Sequence, residues 1–141
     1  SNLLILVKLM GIFDLFGKKD ITDAQYTLKS EFHPFKMNAH HADSVDLEIR
    51  LTNNLDKELL TSVVIQVPKP LGLDKSGFMQ QREIRLGPVA PKETKDVKVQ
   101  IYSGQRVPKG NYPVTIYVIS HYRDYSYVLN EMRKKVELRV V

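Results

Sequence analysis

Apolar and polar residues alternate along most of the chain, and this period of two indicates β-strands. The clearest case is "SVDLEIRLTN", in which Asp46, Glu48 and Arg50 separate the apolar residues. Such a strand buries one face and leaves the other in water. The apolar positions of this strand are Val45, Leu47, Ile49 and Leu51.

Further segments with the same alternation bring the total to seven strands, spaced roughly ten residues apart. They are "AQYTLKSEF", "TSVVIQVP", "REIRLGPV", "TKDVKVQIYS", "YPVTIYVIS" and "KKVELRVV". We expect the strand in "REIRLGPV" to stop at the turn signal Gly87-Pro88. Because each strand has a single apolar face, a second sheet must cover it. The pattern therefore predicts an all-β, antiparallel two-sheet sandwich.

Two stretches near the C-terminus depart from simple alternation. In "YPVTIYVIS" the residues Tyr117 and Ile119 make the second face of the strand apolar as well, which is typical of a central or covered strand. In "HYRDYSYVLNEMRKK" the alternation through Tyr125 and Tyr127 favours a strand, whereas Leu129 and Met132 also suit one helical turn. We interpret that segment as a hairpin extension or a long connection between the last two strands.

The N-terminal block "SNLLILVKLMGIFDLFGKKD" is almost entirely apolar before Lys18. As a helix, residues 3–16 would be about 21 Å long, shorter than the roughly 30 Å of a bilayer core. The block has neither the basic start nor the cleavage site of a signal peptide. It is predicted to be a short apolar helix over residues 1–20, followed by the sandwich domain over residues 21–141.

The start of this block is itself open to two interpretations. Ser1 and Asn2 have the character of residues added by cloning, and Met10-Gly11 resembles a natural start. Residues 1–9 would then lie upstream of the native protein. The narrow polar stripe of the helix suits packing on a sheet, in a dimer or in a membrane interface.

Three turn-and-strand motifs resemble immunoglobulin-like domains of microbial proteins, among them the cell-adhesion-related bacterial domain. The resemblance implies a microbial protein, with an archaeal one as a candidate. In "VDLEIRLTNNLDKELLTSVVIQVP", Asn53 and Asn54 stand where that family ends its second strand. "IRLGPVAPKETKDVKVQIY" is similar to its next turn and strand, and "VPKGNYPVTIYV" to the strand opened by Gly-x-Tyr. The resemblance covers about residues 24–141 and implies an immunoglobulin-like interaction or spacer module. Arrestin-like sandwiches offer a second comparison.

Tyr112, in the last of these motifs, is a candidate for a tyrosine corner. At the start of a strand, its ring can pack in the core while its hydroxyl bonds back to the preceding turn, as in a tyrosine corner. An ordinary strand tyrosine is the alternative.

Composition narrows the function classes. The 141 residues contain no cysteine, which excludes disulfides, thiolate metal sites and thiol nucleophiles. The net charge of +5 is compatible with nucleic acid or anionic lipid. Basic and acidic residues are nevertheless interspersed, as in "PKETKDVK", which favours a mixed-charge surface in water.

No segment carries a strong chemical signature. "HHAD" places His40, His41 and Asp43 together, but neighbouring residues of an extended chain point in opposite directions. Ser120-His121 and Asp124 are adjacent in sequence, whereas a catalytic triad is assembled in space. We therefore expect no enzymatic activity, no metal and no cofactor.

Tyrosine and arginine concentrate in the C-terminal third, and both are favoured at protein interfaces. We predict an interaction surface formed by Tyr117, Ile119, Tyr122, Arg123, Tyr125, Tyr127, Phe13 and Phe16. The expected function is a non-enzymatic module that binds a protein, with a second copy of itself as one candidate partner. The alternatives are a peripheral membrane protein attached through the N-terminal helix and a basic nucleic-acid binder. We expect a cytoplasmic location, with membrane-surface attachment as the alternative and secretion disfavoured.

Overall fold

The computed structural model describes residues 20–22 and 25–141, and this part of the chain is all-β. Residues 1–19 of the predicted N-terminal helix, with Phe13 and Phe16, lie outside the described residues, and its predicted last residue, Asp20, belongs to a strand. The strands of the described part are β1 (Asp20–Thr22), β2 (Tyr26–His33), β3 (Lys36–Met37), β4 (Asp43–Asn53), β5 (Leu59–Gln66), β6 (Gln81–Val89), β7 (Thr94–Ser103), β8 (Gly110–His121) and β9 (Val128–Val140).

Two sheets face each other, which confirms the predicted β-sandwich. The four-stranded sheet has the order β1-β2-β4-β7, and the five-stranded sheet has the order β3-β9-β8-β5-β6. The prediction of seven strands was too low, since β1 and β3 are too short to show alternation. The sandwich is also not wholly antiparallel, because β3 pairs in parallel with β9 after the chain crosses from one sheet to the other.

The core lies between the sheets and follows the predicted alternation. Val45, Leu47, Ile49 and Leu51 of β4 are at most 1% exposed. Alternate residues of β7 lie beside them in the same sheet, and alternate residues of β5 and β8 pack against them from the other sheet. Burial of each such side chain stabilises the fold by roughly 1.5–3 kcal/mol. The main contributions of these three strands are Val63, Ile65, Val97, Val99, Ile101, Val114, Ile116 and Val118.

Strand β6 continues through Gly87-Pro88 to Val89, so the predicted stop was wrong. Thr61 pairs with Gly87 and Ser62 with Arg85, which leaves Leu86 as the extra residue of a β-bulge. Gly87 has a φ of +73°, a conformation that glycine adopts without a steric penalty. Proline is tolerated here because β6 is an edge strand.

The predicted bond of Tyr112 is confirmed. Its hydroxyl donates to the Pro108 carbonyl oxygen at 2.7 Å, which ties the start of β8 to the turn before it. The hairpin extension is confirmed as well, because β8 runs to His121 and β9 begins at Val128, with no helical turn between them. Strand β8 lies between β5 and β9, as predicted for a central strand, and Tyr117 and Ile119 are half-buried on its outer face.

Candidate interaction surface

The outer face of the four-stranded sheet is a ladder of charged side chains. His33 Nε2 lies 3.1 Å from a carboxylate oxygen of Glu48, and Arg50 Nε lies 3.0 Å from Asp96 Oδ1. The hydrogen bond from Arg50 to Asp96 raises the pKa of the guanidinium further above its usual range. Such exposed pairs contribute little to stability, and they leave this face without an apolar centre.

The outer face of the five-stranded sheet has the opposite character. Leu60 and Val64 of β5 and Tyr117 and Ile119 of β8 are half-buried there, and Val64 pairs directly with Tyr117. Charged residues of the flanking strands surround this apolar centre. They are Glu83 and Arg85 on β6 and Glu131, Arg133 and Lys135 on β9. An apolar centre with a polar rim is the usual anatomy of a protein interface.

The β8–β9 hairpin extends this surface beyond the sheet, and we name residues 122–129 the tyrosine tip. Tyr122, Tyr127, Val128 and Leu129 are 51%, 60%, 61% and 55% exposed. The turn is nevertheless ordered by its own hydrogen bonds, since the Tyr122 amide donates to the Tyr127 carbonyl at 2.9 Å. The tip therefore presents large apolar side chains on a defined backbone, which lowers the entropic cost of binding.

Tyr125 differs from the other residues of the tyrosine tip because it folds back onto the sheet. Its hydroxyl accepts a hydrogen bond from the Gly87 amide at 2.9 Å. The Arg85 guanidinium lies 4.6 Å from the centre of its ring, and the His121 ring meets it edge-on at 5.0 Å. Tyr125 thus attaches the tip to the bulge of β6, and its role is to position the surface.

A buried polar pair lies under Tyr125. Ser62 Oγ and His121 Nε2 share a hydrogen bond of 2.7 Å, with Ser62 fully buried and His121 6% exposed. His121 Nδ1 has no hydrogen-bond partner among the described residues. The sequence did not point to this pair, because Ser62 is 59 residues away and only the pairing of β5 with β8 brings the two together.

Ser120, His121 and Asp124 are close in sequence, but the structure does not arrange them as a catalytic triad. Ser120 faces the core and its Oγ donates to Gln25 Oε1 at 2.7 Å, whereas His121 faces outward. Asp124 accepts a hydrogen bond from the Ser126 amide within the turn. Residues that alternate along a strand cannot share one side of the sheet.

The histidines near the start of the domain are also dispersed. His33 lies in the charged ladder, and His40 Nδ1 is 3.3 Å from the Gln105 carbonyl oxygen. Within residues 20–22 and 25–141, no three His, Cys, Asp or Glu side chains cluster as metal ligands would. The same part of the chain contains no helix long and apolar enough to cross a membrane.

Two shallow depressions lie on the side of the charged ladder, away from the apolar face. One of about 340 Å³ is lined by residues that include Asp46, Lys98 and Tyr102. The other, of about 290 Å³, lies beside Glu48 and Arg50. Each depression contains an ion pair, Lys98 with Asp46 at 3.6 Å in the first and Arg50 with Asp96 at 3.0 Å in the second.

Six of the predicted surface residues are described, and they lie on the outer face of the five-stranded sheet or on the hairpin that extends it. Tyr117 and Ile119 lie on the sheet, Tyr122, Arg123 and Tyr127 on the tip, and Tyr125 between them. The sequence analysis missed Val128 and Leu129. Leu129 is the extra residue where the β8–β9 register shifts, and alternation cannot assign a face at such a point.

Comparisons with known proteins give only distant matches, all to solved structures. No family model and no curated protein matches the chain. Among solved structures, the C-terminal domain of Wzt has a TM-score of 0.48 at 10% identity over 82% of this chain and 70% of that one. A β-sandwich protein from Clostridium difficile 630 has a TM-score of 0.36 at 14% identity over 83% and 89%.

A third match is a part of a larger protein. The alkylpurine DNA glycosylase AlkC of Pseudomonas fluorescens, bound to DNA containing an abasic site analog, has a TM-score of 0.47 at 11% identity. The match covers 84% of this chain but only 31% of that one.

Proposed function

We propose that this chain is a non-enzymatic, immunoglobulin-like module that binds a partner protein through the outer face of its five-stranded sheet and the tyrosine tip. The observation that carries this proposal is the contrast between the two outer faces. One is a ladder of ion pairs, and the other has an apolar centre on the sheet whose β8–β9 hairpin exposes four large side chains. Contiguous exposed apolar surface on a stable domain is characteristic of an interaction site.

The strand order supports the immunoglobulin-like assignment. Strands β2-β4-β7 correspond to strands A, B and E, and β9-β8-β5-β6 to strands G, F, C and C′ of such domains. Tyr112, near the start of β8, then occupies the place of the tyrosine corner on strand F. This topology builds interaction sites from strand faces and end loops, with no need for a catalytic group.

The charges around the apolar centre favour a protein over a nucleic acid. Arg85 is next to Glu83, and Arg133 is next to Glu131 on the same face of its strand. A phosphate backbone is bound by a surface of uniformly positive charge. A rim in which acidic and basic side chains are mixed is typical of a protein interface. Tyrosine and arginine together are the residues most enriched at binding hot spots.

The experiment is a quantitative capture from extract of the native cell, with three versions of the full chain. The test variant is Tyr122→Ser with Tyr127→Ser, which alters exposed side chains without touching the core. The control variant is Lys29→Ser with Lys98→Ser on the charged ladder. We expect the test variant to lose its bound protein by about tenfold or more, as hot-spot truncation does, while the control retains it.

Thermal unfolding of all three versions verifies that the variants remain folded. If both variants capture the same protein as strongly as the native chain, the tyrosine tip is not the binding surface. If the control loses the partner and the test variant keeps it, the functional face is the charged ladder and the proposal is wrong.

A further inference from the structure

Three segments come together at the end of the sandwich opposite the tyrosine tip. They are residues 34–42, 67–80 and 104–109, which follow the ends of β2, β5 and β7. The His40 amide donates to the Val107 carbonyl oxygen at 3.0 Å, which joins the first segment to the third. The second segment bridges to the end of β7. We name these three segments the basic end.

The two ends of the domain differ in charge. The basic end carries five basic residues and one acidic residue, which are Lys36, Lys69, Lys75, Arg106, Lys109 and Asp74. At the opposite end, residues 54–58, 90–93 and 122–127 carry three basic and four acidic residues, which are Lys57, Lys92, Arg123, Asp56, Glu58, Glu93 and Asp124. The positive charge of this mixed-sign chain is therefore concentrated at one end of the fold.

The charge of the basic end is not neutralised within the described part of the chain. Its five basic side chains are exposed, and the ion pairs of the described residues all lie elsewhere. Asp74 is held by its own loop, since its carboxylate accepts from the Ser76 hydroxyl at 2.7 Å and from the Gly77 amide at 2.9 Å. This end therefore presents a positive surface that suits an anionic partner.

Two loops of the basic end also expose phenylalanine. Phe78 is 86% exposed and Phe35 72%, which makes them the most exposed large apolar residues of the described part. The backbone around Phe78 is ordered, since the Leu73 amide donates to the Met79 carbonyl oxygen at 2.7 Å. Met79 itself is 43% exposed. Apolar side chains are thus held out from the domain among basic ones.

We propose that the basic end binds the surface of an anionic lipid bilayer, with Phe35 and Phe78 inserted at the level of the headgroups. Such binding combines buried apolar area with attraction between basic side chains and anionic lipid. A bilayer interface accepts aromatic and aliphatic side chains alike, so it accommodates Met79 beside Phe78. A single-stranded nucleic acid binds by stacking on aromatic rings, to which Met79 contributes nothing.

The proposal does not rest on the protein-binding function proposed above, because the two surfaces lie at opposite ends of the domain. Strand β8 begins at Gly110, beside the basic end, and reaches the tyrosine tip after 12 residues. A strand of that length spans roughly 40 Å, so the tip would stand clear of a bilayer that holds the basic end. The proposal also differs from attachment through the N-terminal helix, since its residues lie in loops of the sandwich.

The test is flotation of the full chain with vesicles of phosphatidylcholine alone and of equal parts phosphatidylcholine and phosphatidylglycerol. We expect binding to the anionic vesicles only, and weaker binding as salt is raised. Lys69→Glu with Lys75→Glu should weaken binding by about tenfold or more, because each basic side chain at an anionic surface contributes several-fold. Phe35→Ser with Phe78→Ser should also weaken it by about tenfold or more, through the lost apolar burial.

The matched control is Lys29→Glu with Lys57→Glu, which makes the same charge change at two exposed lysines away from the basic end. Its binding should stay within about twofold of the native chain, because charges beyond a Debye length are screened. Thermal unfolding verifies that all variants remain folded. A native chain that does not float with anionic vesicles overturns the proposal. So do loop variants that bind as the native chain does, a control that loses as much binding as the lysine variant, or binding to an oligonucleotide in place of the vesicles.

Discussion

The side chain of Asn53 connects two turns through hydrogen bonds, and its replacement by alanine tests how much this connection contributes to stability. Asn53 is fully buried at the end of β4. Its amide nitrogen donates to the carbonyl oxygens of Lys57, Val89 and Ala90 at 2.8, 3.0 and 3.2 Å. Its side-chain oxygen accepts from the Leu55 amide at 2.9 Å. The residue therefore ties the turn after β4 to the turn after β6.

The loss of stability in Asn53→Ala follows from the backbone groups that the substitution leaves without a hydrogen-bond partner. The bond to the Val89 carbonyl is buried, and an unsatisfied buried acceptor costs about 1–3 kcal/mol. The remaining bonds are half-buried, so water replaces part of their energy. We expect a loss of about 3 kcal/mol in the free energy of unfolding. For a domain of this size that loss lowers the melting temperature by about 10 °C.

Urea unfolding with linear extrapolation measures this free energy directly. Asn54→Ala is the matched control, because Asn54 is next in sequence but its side chain exchanges hydrogen bonds with the half-buried Thr27 hydroxyl instead of with the two turns. We expect it to cost about 1 kcal/mol. Asn53→Asp should be at least as damaging as Asn53→Ala, since a carboxylate would face three carbonyl oxygens. The reasoning is refuted if Asn53→Ala costs no more than Asn54→Ala.

Three further predictions concern the buried pair, the pH response and the alternative partners. Ser62→Ala should destabilise the domain by about 1–3 kcal/mol, since His121 would lose its hydrogen bond while remaining buried. The control variant, Ser126→Ala, should leave the stability unchanged. Equal urea midpoints for the two variants would contradict this prediction. The Ala90 amide and Lys95 lower the pKa of Glu93, so its ionised form stabilises the fold at neutral pH and this contribution disappears as acid protonates it. Glu93→Gln should therefore lower the melting temperature at about pH 7 and leave it nearly unchanged at about pH 2, and an equal effect at both pH values would be inconsistent with that assignment. Filter binding at low salt should detect no strong affinity for nucleic acid, and steeply salt-dependent binding would instead favour a nucleic-acid binder. Flotation with anionic liposomes should give the same result for the full chain and for a chain that begins at Asp20. Flotation of the full chain alone would favour a membrane protein attached through its N-terminal segment.

The alternation of apolar residues was sufficient to predict the sandwich and most of its core. Val45 to Leu51 are buried in the predicted order, because a strand with one apolar face must bury it whatever its neighbours are. Alternation does not specify which strands pair. The parallel pairing of the two-residue strand β3 with β9 therefore had no sequence signal.

The bulges explain where sequence analysis of the surface was incomplete. At Leu86 and Leu129 one extra residue enters the strand, and the side chains beyond it change face. The omission of Leu129 results from this shift. The predicted stop at Gly87-Pro88 was wrong for a different reason, because the Gly-Pro pair that signals a turn belongs here to a bulged edge strand. The contact of Tyr125 with Gly87 joins the two irregular regions and depends on tertiary structure that no local pattern encodes.

The central claim is that the tyrosine tip and the adjoining sheet face contact a partner protein. Site-specific photo-crosslinking in the native cell tests it most directly, with a photoreactive amino acid at Tyr127 in one strain and at Lys98 on the charged ladder in the other. We expect a discrete adduct with another protein at Tyr127 and none at Lys98. No adduct at Tyr127, or the same adduct at both positions, would contradict it.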